Sequence, residues 1–343
     1  DLAIAAEESA RAVRIARRYG AGERPEALLR LQEGRIRLEE GRAEAARRSF
    51  ERALEILARG GRGVRFDALA PYLELLAADP PSPGRDAAIF LALQQLRDPA
   101  TSETLARLAA RLGAGSSEAA RAIRALQDAE RAVNREAARL DLLTGQQPRD
   151  VNAIRVTRER LAEAEAARAD AAEAVAEHAP NYRQIVDRSV SLEQVQGDLR
   201  PGELLLQVRL GRSGGAIAAI TAEGFRLEPL GITEAEAGAL VGRIRESVYS
   251  PFFDVAAARE LYARVIEPVQ AEVEAAADVI IAPDGPLLSI PPGLMIAADP
   301  VDYRERSLDY SAVPWFGRES AVSVTLSVAS FHRLRQVAPS AAP

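Results

Sequence analysis

Asp278-Val-Ile-Ile-Ala-Pro-Asp-Gly-Pro-Leu-Leu-Ser-Ile-Pro-Pro-Gly-Leu-Met-Ile296 decides how the carboxyl half of this chain folds. Its first part, Val279 to Ala282, is apolar throughout and mostly β-branched, the composition of a short strand buried on both faces. Pro283, Asp284, Gly285 and Pro286 then break the strand with turn chemistry that an interior strand cannot hold. A second apolar patch, Leu287 to Met295, is interrupted by Pro291-Pro292-Gly293. The stretch predicts a central strand that ends in a constrained loop at the edge of an α/β sheet. Strand ends of this kind are where open sheets place their sites.

Composition shifts at Pro180, and the residues between there and the central strand read as the rest of that sheet. Ser191-Leu192-Glu193-Gln194-Val195 is a short helix with a serine N-cap, and Leu199 to Gly202 is a turn. Three strand-like runs follow, Glu203 to Leu210, Ala216 to Thr221 and Phe225 to Leu230. Gly211-Arg-Ser-Gly-Gly215 and Ala222-Glu-Gly224 separate them, which predicts an antiparallel meander. Gly211 to Gly215 is then a hairpin turn and not a nucleotide loop. Thr233 caps a helix to about Val248, and a second helix from about Val255 to Ala276 delivers the chain into the central strand. Strands, two helices and a buried strand make one α/β domain.

The amino-terminal half is helical. Residues 2–18 form an amphipathic Ala/Arg helix stopped by Gly20-Ala-Gly22, and Pro25 suits the first turn of the next. From Glu26 to Leu57 two helices are joined at Gly41. Gly34, Gly41, Ala46, Phe50 and Ala53 fall at spacings similar to a tetratricopeptide repeat. Small residues let such paired helices approach, and Phe50 fills the gap; Arg30, Glu33 and Arg37 depart from the pattern, sitting where large apolar residues are usual. An unspecialised helical hairpin is the plainer alternative. Gly60-Gly-Arg-Gly63 is a linker: no strand precedes it and no Gly-Lys-Ser/Thr follows. Helices are expected at 66–78, 85–97 and 101–112, with breaks at Asp79–Gly84 and Asp98-Pro99. In 116–178, Leu126, Val133 and Leu140 recur every seven residues. After Thr144–Pro148 a second helix carries Ile154, Leu161, Ala164, Ala171 and Val175, which predicts a long antiparallel hairpin with an Ala-rich seam. Glu159, Glu163 and Glu165 read as its solvated face rather than a metal or acid/base cluster, and His178 suits the helix end.

Charge and residue usage narrow the function. The net charge is −6, which argues against a general nucleic-acid surface. Every basic residue is arginine, so lysine-dependent chemistry is excluded, and the cysteine count of 0 excludes disulfides, thiolate metal sites and a cysteine nucleophile within these residues. No run approaches the ~18 apolar residues of a membrane helix, and no signal-peptide pattern opens the chain. A cytoplasmic protein without a membrane partner is expected. Asp1 stands where an initiator methionine would, which reads as a fragment or a processed product.

The segment Ile280-Ile281-Ala282-Pro283-Asp284-Gly285-Pro286-Leu287, followed by Ile290-Pro291, resembles the motif of CHAT domains. These are caspase-like α/β domains usually found behind tetratricopeptide repeats in bacterial proteins. The resemblance runs from about Tyr182 to Arg335; Trp315-Phe316-Gly317-Arg318-Glu319 through Ser323 to Arg335 is similar to the family's next strand and helix. Pro292 stands where the family commonly has Phe, and Leu326-Ser327 where it has Pro-Ser. The expected fold class is therefore α plus α/β. A TPR-like helical region (1–115) and a long antiparallel helical hairpin (116–179) precede the front, non-catalytic part of a caspase-like CHAT domain (180–343).

In that family a His-Gly motif and a later Ala-Cys motif supply the base and nucleophile of a cysteine peptidase, and neither is present here. The one triad that can be drawn, Ser289 with His332 and Asp284, lacks nucleophile-elbow spacing. No catalytic, cofactor-binding or metal residue is expected in this chain. The resemblance implies the amino-terminal portion of a CHAT peptidase, its helices binding a protein partner. The alternative is a non-enzymatic TPR-CHAT scaffold for protein–protein interaction.

Overall fold

Small residues at the right spacing bring the first two helices together. The computed structural model describes residues 11, 23–60, 63–96, 117–145, 150–178, 190–300 and 308–336. Helix α1 (Glu23–Glu39) turns at Gly41, whose φ is +74°, into α2 (Ala43–Gly60). Ala46, Phe50 and Ala53 are fully buried, and a Cβ at Gly34 would lie 2.8 Å from the Phe50 ring. Glycine is what allows that approach. The departures from the repeat pattern form a polar cluster instead. Buried Glu33 takes Arg30 at 2.8 Å and Arg37 at 2.7 Å, while Arg37 also reaches Ser49 Oγ at 2.5 Å. Helices α3 (Phe66–Ala77) and α4 (Pro83–Gln94) follow. The latter starts two residues earlier than the expected 85, because Ser82 accepts from the Arg85 N–H and Pro83 is preorganised for a first turn. The helices expected over 2–18 and 101–112 lie outside the described residues, as do most of the break at 144–148 and Pro180.

By contacts the chain divides into two compact units, Asp1–Thr101 with Ser189–Pro343, and Ser102–Arg188. The second contains α5 (Ser117–Gly145) and α6 (Val151–His178). Leu126 clusters with Ala171 and Val175, and Val133 with Leu161 and Ala164. Residues that advance along one helix thus meet residues that recede along the other, so the pair is antiparallel. Alanine and valine at most contacts keep the seam narrow.

In the first unit, α7 (Leu192–Asp198) precedes strands β1 (Glu203–Leu210), β2 (Gly215–Ile220) and β3 (Phe225–Leu230). Helices α8 (Glu234–Val248), α9 (Val255–Val265) and α10 (Gln270–Ala275) lead into β4 (Asp278–Ala282), and α11 (Phe316–Glu319), β5 (Ala321–Val324) and α12 (Val328–Gln336) complete the order. The single helix expected over 255–276 is broken, because Pro268 lacks an amide hydrogen and turns residues 267–269 into a 3₁₀ segment. The sheet order is β3-β2-β1-β4-β5. The first three strands are an antiparallel meander, with Leu206 opposite Ala219 and Ala218 opposite Leu227. Strand β4 runs parallel to both neighbours, Leu204 pairing with Val279 and Val279 with Val322. It is an interior strand, and Val279 to Ala282 are all buried.

Alternation along the strands sends side chains to two faces. On one face Leu206, Val208, Val279 and Ile281 pack against Leu240, Ile244, Leu261 and Val265 of α8 and α9. On the other, Leu205, Ile220 and Ile280 meet α7 and α12, while Ala216 and Ala218 meet Phe66, Leu69 and Leu93 of α3 and α4. The molecule is mixed α/β, and its amino-terminal helices cover part of the sheet. No helix among the described residues is long and apolar enough to cross a membrane.

Candidate functional site

At the carboxyl end of β4 the chain is bent by residues suited only to a bend. Asp284 is buried, and its Oδ2 accepts the Leu210 N–H at 3.0 Å, joining the turn to the end of β1. Gly285 adopts φ +52°, a left-handed conformation that costs glycine nothing. A 3₁₀ turn, Gly285–Ser289, then drops Leu287 and Ile290 into the core beside Val208, Ile281 and Val265. A second one, Pro292–Leu294, brings Gly293 against Gly317, where a Cβ on either residue would meet the other's Cα at 3.2 or 3.0 Å. The Phe316 N–H donates to Met295 O at 2.8 Å, so the loop is closed back onto α11.

The β1–β2 hairpin loop lies beside this turn. Its N–H groups face inward onto a carboxylate: Asp67 Oδ1 accepts from the amides of Arg212 at 2.8 Å and Ser213 at 3.2 Å, and from Ser213 Oγ at 3.2 Å. A glycine-rich loop that already holds an internal anion is not a phosphate cradle, in line with its hairpin reading. Glu234, at the start of α8, donates its N–H to Gly211 O at 2.8 Å and accepts Arg65 at 2.9 Å. In the same first turn, the N-cap Thr233 and Glu236 form a reciprocal capping box. Hydrogen bonds from the Thr233 hydroxyl and backbone, then from Arg264, hold the Glu236 carboxyl down at about 2. On the second sheet face Gln207 is 1% exposed between Ala218 and Ala282, and among the described residues neither amide atom has a hydrogen-bond partner.

Ser289, His332 and Asp284 are not brought together. The Ser289 hydroxyl donates to Pro286 O at 2.7 Å, Asp284 serves Leu210, and His332 Nδ1 lies 2.5 Å from Asp198 Oδ2. Helix α12 runs back along the sheet, since Arg335 near its end reaches Glu203 at the start of β1 at 2.5 Å. His332, one turn earlier, therefore lies away from the strand ends that carry Ser289 and Asp284. Glu159 pairs with Arg155 on an exposed helix face, Glu163 and Glu165 are exposed beside it, and His178 is 3.8 Å from Glu177. Among the described residues no group of His, Asp and Glu side chains could hold a metal ion.

Sequence reasoning missed the polar contacts that fasten these parts: Asp67 in the hairpin loop, Asp198 with His332 and Gln336, and Glu203 with Arg335 and the Arg200 N–H. All but the Arg200–Glu203 contact join residues distant in the chain, so no local pattern announces them. Asp67 alone had a signal, an acidic residue in a helix first turn, where the dipole favours it.

The polar groups at the strand ends are thus engaged in holding loops, and the chemistry they supply here is positional. No family model, no curated protein and no solved structure matches this chain.

Proposed function

We propose that the chain is the amino-terminal portion of a CHAT-family, caspase-like cysteine peptidase. In this reading the TPR-like helices bind a protein partner, residues 180–343 form the front of the CHAT domain, and the catalytic histidine and cysteine lie outside the 343 residues.

One observation carries it. Strand β5 is a parallel edge strand that, among the described residues, pairs with β4 alone, and Ala321, Ser323 and Val324 are exposed. An edge strand presents unpaired backbone N–H and C=O groups to which a further strand can pair. Helix α12 returns along the second face, where Val328 and Phe331 pack with Leu205 and Ile280, as the helix of a βαβ unit packs on its sheet. The Gly34–Phe50 approach and the buried Ala46 and Ala53 support the repeat-like pairing of α1 and α2. The structural engagement of Asp284 and Ser289 favours a second reading, a TPR-CHAT scaffold without enzymatic activity.

A peptide-library hydrolysis assay separates these. The 343-residue chain is expected to cleave nothing, since a peptidase needs nucleophile, base and oxyanion donors within a few ångströms. A chain continued past Pro343 through the next cysteine is expected to cleave. If that longer chain is inactive as well, the scaffold reading stands. Hydrolysis by the 343-residue chain that disappears in Ser289→Ala or His332→Ala overturns both.

A further inference from the structure

We propose that the β1–β2 loop couples the amino-terminal helices to the Asp284 turn, so that a protein displacing α3 loosens the strand-end loop. The inference rests on the reading of those helices as partner-binding.

Helix α3 presses on the loop through its first turn. Three donors of Arg212 and Ser213 converge on Asp67 Oδ1. A Cβ at Gly211 would lie 2.7 Å from that same oxygen and 2.8 Å from Phe66 Cδ1. The loop backbone is therefore in direct contact with the Asp67 and Phe66 side chains of the helix, with no loop side chain between.

The other side of the loop holds the site. Gly211 O accepts the Glu234 N–H at 2.8 Å, and the preceding residue, Leu210, gives its N–H to Asp284 at 3.0 Å. Leu210 and Gly211 are covalent neighbours, so the backbone cannot follow α3 at Gly211 and stay fixed against Asp284 at Leu210. A second contact runs alongside. Arg65, the residue before α3, meets Glu234 at 2.9 Å, and Glu234 Cγ would lie 3.7 Å from a Cβ at Gly285. Both routes leave the start of α3 and reach the Pro-Asp-Gly turn within two residues. Rigid contacts of this kind transmit a displacement because a packed interface shifts as a unit.

Native-state hydrogen exchange on the full chain, without partner or peptide, tests the coupling. Asp67→Ala is expected to speed exchange of the Leu210 amide at least about fivefold, the lower end of ordinary coupling between sites. Arg65→Ala, at a contact exposed on both sides and so harmless to folding, is expected to speed exchange of the Glu234 amide. Arg52→Ala, on an exposed part of α2, is expected to change neither. If Asp67→Ala affects Arg212 and Ser213 while Leu210 stays protected, the loop is a local cap and the proposal is wrong. If Asp67→Ala fails to fold, an unchanged Glu234 amide in Arg65→Ala overturns it by itself. Because no substrate or partner is involved, failure here leaves the peptidase and scaffold readings standing, whereas their failure removes the displacing partner and not the measured coupling.

Discussion

The Asp284 carboxylate and the Leu210 amide are separated by 74 positions in the chain, yet their hydrogen bond sets where β4 stops relative to β1. A buried donor deprived of its acceptor costs about 1–3 kcal/mol. Asp284→Ala is expected to lose that much in urea denaturation, whereas Asp284→Asn, which keeps an acceptor oxygen, is expected to lose less than half of it. Equal losses in the two variants would mean that charge, and not the hydrogen bond, holds the turn. Glu236 offers a second test at the same scale. Its partners bind the carboxylate and hold its pKa at about 2, below the ordinary carboxyl range. A depressed carboxyl contributes fully above its unfolded-state value and loses that contribution as the pH falls through the folded one. The stability difference between the wild type and Glu236→Gln is therefore expected to be constant from pH 7 to about 5 and to shrink toward pH 2. A difference that persists unchanged to pH 2 would remove the capping box as its source.

Strand β4 shows what a stretch of sequence can and cannot disclose about an element. Four consecutive apolar residues between an acidic residue and Pro-Asp-Gly admit few structures, and the interior parallel strand follows from burial on both faces. Strands β1 and β3 end where expected because Gly211 and Gly231 punctuate the backbone locally. The break between α9 and α10 had its proline in plain view, but periodicity on either side of Pro268 hid it. The Glu33 cluster was illegible for another reason. Whether Arg30, Glu33 and Arg37 point outward or meet Ser49 depends on how two helices face each other, which spacing within one helix does not state. Ile281 lies in this interior strand, 2% exposed and packed in the larger core. Ile281→Asp would place an unpaired carboxylate there, and a loss of several kcal/mol is expected. Thermal unfolding reads it directly, and an unchanged midpoint would mean that β4 is not interior.

At the scale of the whole molecule, the shift in composition at Pro180 marks a change of secondary structure, while the packing crosses it. Residues 1–101 and 189–343 share one compact unit. The reason lies in β2. Its outward-alternating residues Ala216 and Ala218 are small and apolar, and with Phe225 and Leu227 of β3 they are covered by Phe66, Leu69 and Leu93. Phe90 of α4 reaches the neighbouring core, edge-on to Phe225 with ring centroids 6.4 Å apart. The part of the sheet face formed by these four residues has no polar side chain to offer water. Removing α1–α4 would uncover it together with the hairpin loop that Asp67 now fills. A chain of residues 190–343 is therefore expected to be markedly less stable than the full chain, to bind a hydrophobic dye, and to associate through the uncovered face. Supplying residues 1–101 as a separate polypeptide is expected to restore protection of β2 amides in hydrogen exchange, because the buried area and the Asp67 contacts would re-form. Cooperative unfolding of the 190–343 chain at the midpoint of the full-length protein, with no dye binding, would show instead that the sheet needs no cover from the amino-terminal helices.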